Sequence, residues 1–102
     1  MRTRDTARLE RFYAGLLGLP VVKRDAVRGS VWLDAEGAVL MIEPASPEEP
    51  AIDPATRELV AFAVARIDEW RPRVSVEAET AHTLYFRDPD GRRVAVSDYP
   101  LR

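Results

Sequence analysis

The sequence predicts an α+β fold made of two tandem βαβββ modules. A strand-like segment, a helix and three further strand-like segments occur in the same order twice along the chain. Residues 44–57 separate the two copies; they contain half of the eight prolines and no periodic pattern, which predicts a linker. With 102 residues the chain has the length of one domain, with modules at about 1–43 and 58–98.

The first module begins with a short predicted strand at residues 1–4, followed by an amphipathic helix. Asp5 or Thr6 can cap the helix, since both side chains accept hydrogen bonds from backbone amides. Gly18 suits the position after the helix, and Pro20 prevents its continuation. Apolar side chains with helical spacing form one stripe: Leu9, Phe12, Tyr13, Leu16 and Leu17.

The remaining elements are read from strand patterns. Three strands are predicted in the first module, at residues 21–25, 30–34 and 38–43. The Glu36-Gly37 pair favours a hairpin between the last two. In the second module we expect a strand at 59–65, a short helix at 67–71 and strands near 74–77, 82–87 and 93–97. Pro72 is expected to close the short helix.

The most informative segment is the hairpin at residues 84–97. Asp88 can accept a hydrogen bond from the backbone two residues later, Pro89 fixes φ at the first turn position, and Gly91 tolerates a positive φ. Apolar and polar residues alternate on both sides of this turn. The segment is therefore predicted to be two antiparallel strands joined by a tight turn.

Composition excludes several classes of function. The net charge is −2, with 15 basic and 17 acidic residues mixed along the chain, so neither nucleic acid nor a membrane surface is an expected partner. The chain has no cysteine, which excludes disulfides, thiol nucleophiles and thiolate metal sites. No apolar run approaches the roughly 18 residues of a membrane span, and no signal peptide is evident. A cytoplasmic protein is expected.

In this order and spacing, FYAGLLGLPVV (residues 12–22) and YFRDPDGRRVAV (residues 85–96) resemble the vicinal oxygen chelate superfamily. That superfamily includes glyoxalase I, fosfomycin- and bleomycin-resistance proteins and extradiol dioxygenases. The resemblance covers nearly the whole chain. It implies a mixed sheet that curls around a cavity, with the helices outside. It also implies a homodimer, with the first strand and the module edges at the contact.

The resemblance further implies a metal site, but the ligands of that site are missing here. The enzymes of the superfamily place ligands on the first, fourth, fifth and eighth strands. The first of these positions would fall before Met1, and the others match Met41, Leu59 (or Val60) and Ala95. A hard divalent cation needs carboxylate, carbonyl or imidazole donors, which these side chains lack. We therefore expect neither a metal nor another cofactor.

Strand alternation predicts which side chains face the cavity. Tyr85 matches a cavity-facing tyrosine of fosfomycin-resistance proteins, and Thr83 shares its face. The predicted ligand-binding residues are Val39, Met41, Glu43, Leu59, Ala61, Thr83, Tyr85, Ala95 and Ser97, and Ala63 points the same way. Such a pocket is mostly apolar with a few polar groups, as is typical of small-molecule sites. In the alternative interpretation, packed side chains fill this space.

Three functions remain open. The leading hypothesis is a metal-independent protein that binds an amphipathic or aromatic small molecule without transforming it. The first alternative is a lyase, isomerase or dioxygenase-like enzyme that uses Glu43 and Tyr85 as weak acid–base candidates. The second is a structural or interaction dimer with a filled pocket. His82 is interpreted as a partly buried or strand-end residue, with a catalytic base as the alternative. The Arg92-Arg93 pair is interpreted as a solvated hairpin tip, with anion capture as the alternative.

Overall fold

Two structural units make up the chain in the computed structural model, which describes residues 1–100. The first comprises Met1–Ala51 and the second begins at Ile52. Each is built around its own four-stranded mixed sheet, which confirms the α+β class. Leu101 and Arg102, the last two residues of the predicted domain, lie outside the described residues. No helix among residues 1–100 has the length and apolar character that crossing a membrane requires.

The sheet of the first unit has the strand order β1-β4-β3-β2. Its strands are β1 (Arg2–Thr3), β2 (Val21–Asp25), β3 (Ser30–Asp34) and β4 (Val39–Pro44). Strand β1 pairs in parallel with β4, and the other pairs are antiparallel. Glu36 and Gly37 both have positive φ, 52° and 92°, which closes the predicted two-residue hairpin between β3 and β4.

The helical segment of this unit, α1, begins as an α-helix at Thr6–Glu10 and continues as a π-helix at Arg11–Leu16. Asp5 is the cap, because its carboxylate accepts a 3.0 Å hydrogen bond from the Arg8 amide. Gly18 ends the segment with φ 76°, as predicted. The wider π turn moves later residues away from an α-helical stripe. Of the five stripe residues, only Leu9 and Tyr13 are buried.

The predicted linker is partly attached to the first unit. Arg2 donates two hydrogen bonds to Glu49, at 2.9 and 3.0 Å. Arg4 donates to the carbonyl oxygens of Pro47 and Glu49. The boundary between the two units then follows Ala51, within residues 44–57.

The sheet of the second unit has the order β5-β8-β7-β6. Its strands are β5 (Leu59–Ala63), β6 (Ala78–Glu79), β7 (Thr83–Arg87) and β8 (Arg93–Ser97). Strand β5 pairs in parallel with β8, and the other pairs are antiparallel. The module order repeats that of the first unit, and β8 has the bounds predicted from the sequence.

Two predicted elements of the second unit are wrong. The helix expected at 67–71 is a pair of 3₁₀ turns, Ile67–Glu69 and Arg71–Arg73, so Pro72 lies inside the second turn rather than ending the first. The strand expected at 74–77 is instead β6, because pairing with Leu84 and Tyr85 of β7 selects residues 78 and 79. Partner strands, and not the apolar character of Val74 and Val76, determine where this strand lies.

The turn between β7 and β8 forms as the sequence predicts. Asp88 Oδ1 accepts hydrogen bonds from the amides of Asp90 (2.9 Å) and Arg92 (3.0 Å), and its side chain is fully buried. Gly91 has φ 92° and donates to the Asp88 carbonyl oxygen at 3.0 Å. The Arg92 guanidinium contacts the carboxylates of Asp88 and Asp90 at 3.3 and 2.9 Å. The turn thereby fixes the register of β7 against β8.

One face of each sheet carries the core. In the first unit the fully buried sheet residues, Leu33 and Ile42, lie on the same side as the helix residues Leu9 and Tyr13. In the second unit the corresponding residues are Leu84, Phe86, Val94 and Val96. Strand alternation therefore leaves the other face of each sheet for the residues that the sequence predicted as ligand-binding.

Candidate functional site

The face of the second sheet opposite its core carries most of the predicted ligand-binding residues. We call it the Tyr85 face, after its central aromatic residue. It consists of Leu59, Ala61 and Ala63 of β5, Arg93, Ala95 and Ser97 of β8, and Thr83, Tyr85 and Arg87 of β7. The β5 residues are exposed, with Leu59 at 40%, whereas Ala95 is fully buried. A ligand on this face would contact the β5 side chains and not Ala95.

Tyr85 lies in the middle of this face, in register with Ala95 of β8 and Ala78 of β6. The Arg93 guanidinium carbon lies 4.4 Å from the centre of the Tyr85 ring, within cation–π distance. Among the described residues, none forms a hydrogen bond with the Tyr85 hydroxyl, which is not a buried unsatisfied group. The phenol hydroxyl can thus donate to a ligand or accept from one.

Thr83 and Ser97 form a second polar group on the same face. Their hydroxyl oxygens lie 2.9 Å apart across the β7–β8 pair. Ser97 Oγ also accepts a 3.3 Å hydrogen bond from the Tyr99 amide. The two hydroxyls together have two hydrogens and use one of them on each other, so one hydroxyl hydrogen remains available for a ligand.

The three arginines around the β7–β8 turn have different surroundings. Arg87 donates to both oxygens of Glu77, at 2.7 and 3.0 Å, and this hydrogen-bonded pair raises the pKa of Arg87 and lowers that of Glu77. Arg92 is bound by the turn and keeps only 15% side-chain exposure, so its interpretation as a solvated tip residue is wrong. Arg93 lies on the Tyr85 face as Arg87 does, but its guanidinium lies over the Tyr85 ring.

The corresponding face of the first sheet carries Val39, Met41 and Glu43, as predicted by alternation. Val39 is 61% exposed. Glu43 lies at the end of β4 with its carboxylate 3.8 Å from the Arg2 guanidinium.

Trp32 also belongs to this first face, although it is not among the predicted ligand-binding residues. It pairs with Met41 on one side and with Lys23 on the other, and the Lys23 ammonium lies 4.6 Å from the centre of its indole ring. In the strand sequence SVWLD, alternation places Trp32 on the face of the sheet opposite to that of its buried neighbours Val31 and Leu33. This alternation is the feature of the sequence from which the position of Trp32 could have been predicted.

The residues at the superfamily's metal positions do not fit a metal. Met41 offers a thioether, and Leu59 and Ala95 offer only hydrocarbon. Residues 1–100 contain no group of three or more His, Asp or Glu side chains that could hold a metal ion. No ligand set for a hard divalent cation is therefore formed by the part of the chain that the structure describes.

His82 belongs to a separate polar cluster just before β7. Its Nδ1 lies 2.9 Å from Asp98 Oδ1, and its ring meets Tyr99 edge to face at 5.4 Å. Asp98 Oδ2 accepts a 2.9 Å hydrogen bond from the Ile67 amide. These bonds, first that of Ile67 and then that of His82, hold the pKa of Asp98 below its usual value. The cluster joins the end of β8 to the first 3₁₀ turn.

A groove of about 270 Å³ lies in the first unit, away from the predicted ligand residues. It is lined by α1 residues including Thr6 and Glu10 and by the β2–β3 turn. Arg24 donates two hydrogen bonds to the Glu10 carboxylate, at 2.7 and 2.8 Å, and lowers its pKa. The groove is wide open, and Asp25 is its remaining charged lining residue.

Comparison with models of protein families identifies one family. A family model described as "Glyoxalase/Bleomycin resistance protein/Dioxygenase superfamily" matches residues 1–96. Comparison with curated protein sequences gave no match.

Several solved structures share the fold. A FosX fosfomycin resistance protein of Listeria monocytogenes, a mutant complexed with Mn(II) and 1S,2S-dihydroxypropylphosphonic acid, has a TM-score of 0.77 at 16% identity, over 99% of this chain and 86% of that one. Lactoylglutathione lyase of Agrobacterium tumefaciens gives 0.72 at 23%, over 94% and 86%. An integron cassette protein from the Halifax Harbour sewage metagenome gives 0.76 at 19%, over 95% and 91%.

Proposed function

Because the chain belongs to the glyoxalase/bleomycin resistance protein/dioxygenase superfamily, we propose that it is a metal-independent member of this family that binds a small amphipathic or aromatic molecule. The Tyr85 face is the proposed site. The observation that carries the proposal is the free hydroxyl of Tyr85, which lies in the middle of a sheet face whose β5 edge presents exposed apolar side chains. A few orienting polar groups among apolar ones are what small-molecule sites provide.

The choice of binding over catalysis rests on the chemistry of the donor sets. Lactoylglutathione lyase and FosX are enzymes by name, and the FosX structure contains Mn(II). The resemblance to the superfamily assigns the metal positions of this chain to Met41, Leu59 (or Val60) and Ala95, which cannot supply hard donors. Glu43, the candidate base, has Arg2 beside it. An oxyanion intermediate would thus lack the electrostatic support that is usually a large catalytic contribution.

The first prediction tests Tyr85 directly. Tyr85→Phe removes the phenol hydroxyl and keeps the ring, so it should weaken binding of a hydrogen-bonding ligand by about 0.5–1.5 kcal/mol, the net value of one neutral hydrogen bond. Ligands are found by thermal-shift screening of small aromatic and amphipathic compounds, and their affinities are measured by isothermal titration calorimetry. Prior dialysis against EDTA should leave these affinities unchanged.

Tyr99→Phe is the matched control. Tyr99 is 59% exposed, lies outside the Tyr85 face and loses the same hydroxyl group. Its affinities should equal those of the unmodified protein. An equal loss in both variants would contradict the proposed site. Turnover of a glutathione hemithioacetal, of fosfomycin with a thiol or of a catechol that disappears in Glu43→Gln would replace binding by catalysis as the function.

A further inference from the structure

The surroundings of Arg93 allow the ligand class to be narrowed, on the condition that the proposed function holds. We propose that the small molecule bound on the Tyr85 face carries an anionic oxygen group, a carboxylate, phosphonate or phosphate, and that Arg93 binds this group. The apolar or aromatic part of the same molecule lies against Leu59, Ala61 and Ala63 of β5.

The geometry keeps the Arg93 guanidinium in place. Its central carbon lies 4.4 Å from the centre of the Tyr85 ring. A guanidinium stacked on an aromatic ring uses its planar face, and its N–H donors remain at its edges. The side chain is thereby held in one position before the ligand arrives, which reduces the entropy lost on binding.

Arg93 differs from the neighbouring arginines Arg87 and Arg92 in its ion pairing. Glu77 already pairs with Arg87, and the carboxylates of Asp88 and Asp90 pair with Arg92. The charge of Arg93 makes only the smallest contribution to the lowered pKa of Glu77, after the hydrogen bond and charge of Arg87. Within residues 1–100, no carboxylate oxygen lies within 4.0 Å of an Arg93 nitrogen. The guanidinium is therefore available for an external anion.

The other polar groups on this face are also donors. Tyr85 contributes a free hydroxyl, and the Thr83–Ser97 pair contributes one hydroxyl hydrogen. None of the strand residues that define the face has a carboxylate, and the Glu77 carboxylate beside it is already bound by Arg87. A cationic side chain with two hydroxyl donors is complementary to a group that has only acceptors and a negative charge. This set of donors selects an anion over an amine or a neutral amide.

The test uses two probes of the same shape, the anionic 3-phenylpropionate and the neutral 3-phenylpropionamide, with phenylphosphonate as a second anion. Isothermal titration calorimetry at low salt should give an affinity for the carboxylate at least about tenfold higher than for the amide, because a charge-assisted hydrogen bond contributes more than a neutral one. Added salt should reduce this preference, since screening weakens the charge interaction. The tighter of the two anions identifies the group that the site prefers.

Variants of Arg93 assign the effect to this residue. Arg93→Gln should weaken carboxylate binding about tenfold and change amide binding less than about twofold. Arg93→Lys keeps the charge without the planar fork and should retain part of the preference. Arg28→Gln, which removes the same charge from an exposed turn residue of the first unit, is the control and should leave both affinities unchanged.

Each outcome has a defined meaning. Equal affinity for the carboxylate and the amide in the unmodified protein overturns the anion inference and leaves the proposed binding function intact. If the unmodified protein binds neither the anions nor the amide, both the anion inference and the proposed binding function are refuted. A loss of carboxylate binding in Arg28→Gln equal to that in Arg93→Gln shows a general charge effect and also overturns the inference. If circular dichroism shows that Arg93→Gln is unfolded, the inference is tested by Arg93→Lys and by the salt dependence of the unmodified protein. A carboxylate preference that does not change in either measurement would overturn it.

Discussion

Single side chains can hold a whole turn in place, and Asp88 is the clearest case in this protein. Within the β7–β8 turn, its fully buried carboxylate accepts two hydrogen bonds from backbone amides and forms an ion pair with Arg92. The sequence Asp-Pro-Asp-Gly predicted the turn and a backbone hydrogen bond to Asp88, because an Asp side chain and a positive-φ glycine are local requirements of the turn, but it did not predict the ion pair with Arg92. Arg93 was harder to place, since its partner Tyr85 is on another strand.

Asp88→Ala should lower the free energy of unfolding by about 2–3 kcal/mol. The substitution leaves the amides of Asp90 and Arg92 without their acceptor. Each loss should cost about 1–1.5 kcal/mol, the lower part of the range for an unsatisfied donor, because both hydrogen bonds are only partly buried. Urea denaturation followed by circular dichroism measures the change. Asp53→Ala is the control, because Asp53 accepts one comparable bond from the Ala55 amide in an exposed loop. A loss of about 0.5 kcal/mol or less is expected there, and an equal loss at both positions would contradict the argument.

Among the secondary-structure elements, the two modules repeat each other more closely in their strands than in their helices. Trp32 of β3 lies opposite Met41 of β4, as Tyr85 of β7 lies opposite Ala95 of β8. In each case a cation, Lys23 or Arg93, contacts the aromatic ring. The helical parts differ: α1 spans Thr6–Leu16, whereas the second module has only 3₁₀ turns around Pro72.

Asp98 should make the stability of the second unit depend on pH. Hydrogen bonds from the Ile67 amide and from His82 lower the pKa of Asp98 in the folded state. A lowered folded-state pKa adds stability that is fully present above the unfolded pKa, about 3.9, and is lost as the pH falls through the folded value. Asp98→Asn keeps an acceptor for the Ile67 amide but removes the charge.

Urea denaturation at pH 7 and at pH 3 measures this contribution. Unmodified protein should be more stable than Asp98→Asn at pH 7, and the difference between their free energies of unfolding should shrink at pH 3. A difference that stays constant over this range would show that the ionised carboxylate does not stabilise the folded state.

At the scale of the whole molecule, the sheet edges lead us to propose a symmetric homodimer, as the sequence predicted by resemblance. Strand β5 forms one edge of the second sheet, and its Leu59 and Val60 are 40% and 36% exposed on opposite faces. Val22 on the edge strand β2 of the first sheet is 56% exposed. Unpaired edge strands with apolar side chains favour association with another chain.

Size-exclusion chromatography with light scattering at micromolar concentration should therefore give twice the mass of one chain. Val60→Lys places a charge on the β5 edge and should shift the mass toward one chain. Val27→Lys is the control, because Val27 is 97% exposed at a turn and lies on no strand. A monomeric mass for the unmodified protein would refute the proposed dimer, and dissociation by both variants would refute the β5 contact.

Much of the fold could be predicted from the sequence alone. The bounds of β2, β3 and β8, the Glu36-Gly37 hairpin and the Asp88 turn all follow from local signals. Strand alternation also separated the core residues from the ligand-binding candidates, with the exception of the fully buried Ala95, because successive side chains of a strand point to opposite faces. These features depend on backbone geometry within a few residues, so neighbouring positions in the sequence are enough to define them.

Tertiary structure decided what depends on partners distant in the sequence. Pairing with β7 placed β6 at Ala78–Glu79, and packing against the sheet selected only Leu9 and Tyr13 of the predicted helical stripe for burial. Arg92 and Arg93 are adjacent in sequence, yet the turn carboxylates bind the first and the Tyr85 ring holds the second. Alternation could assign them to opposite faces, but only the paired strands determine which charges and rings each face presents.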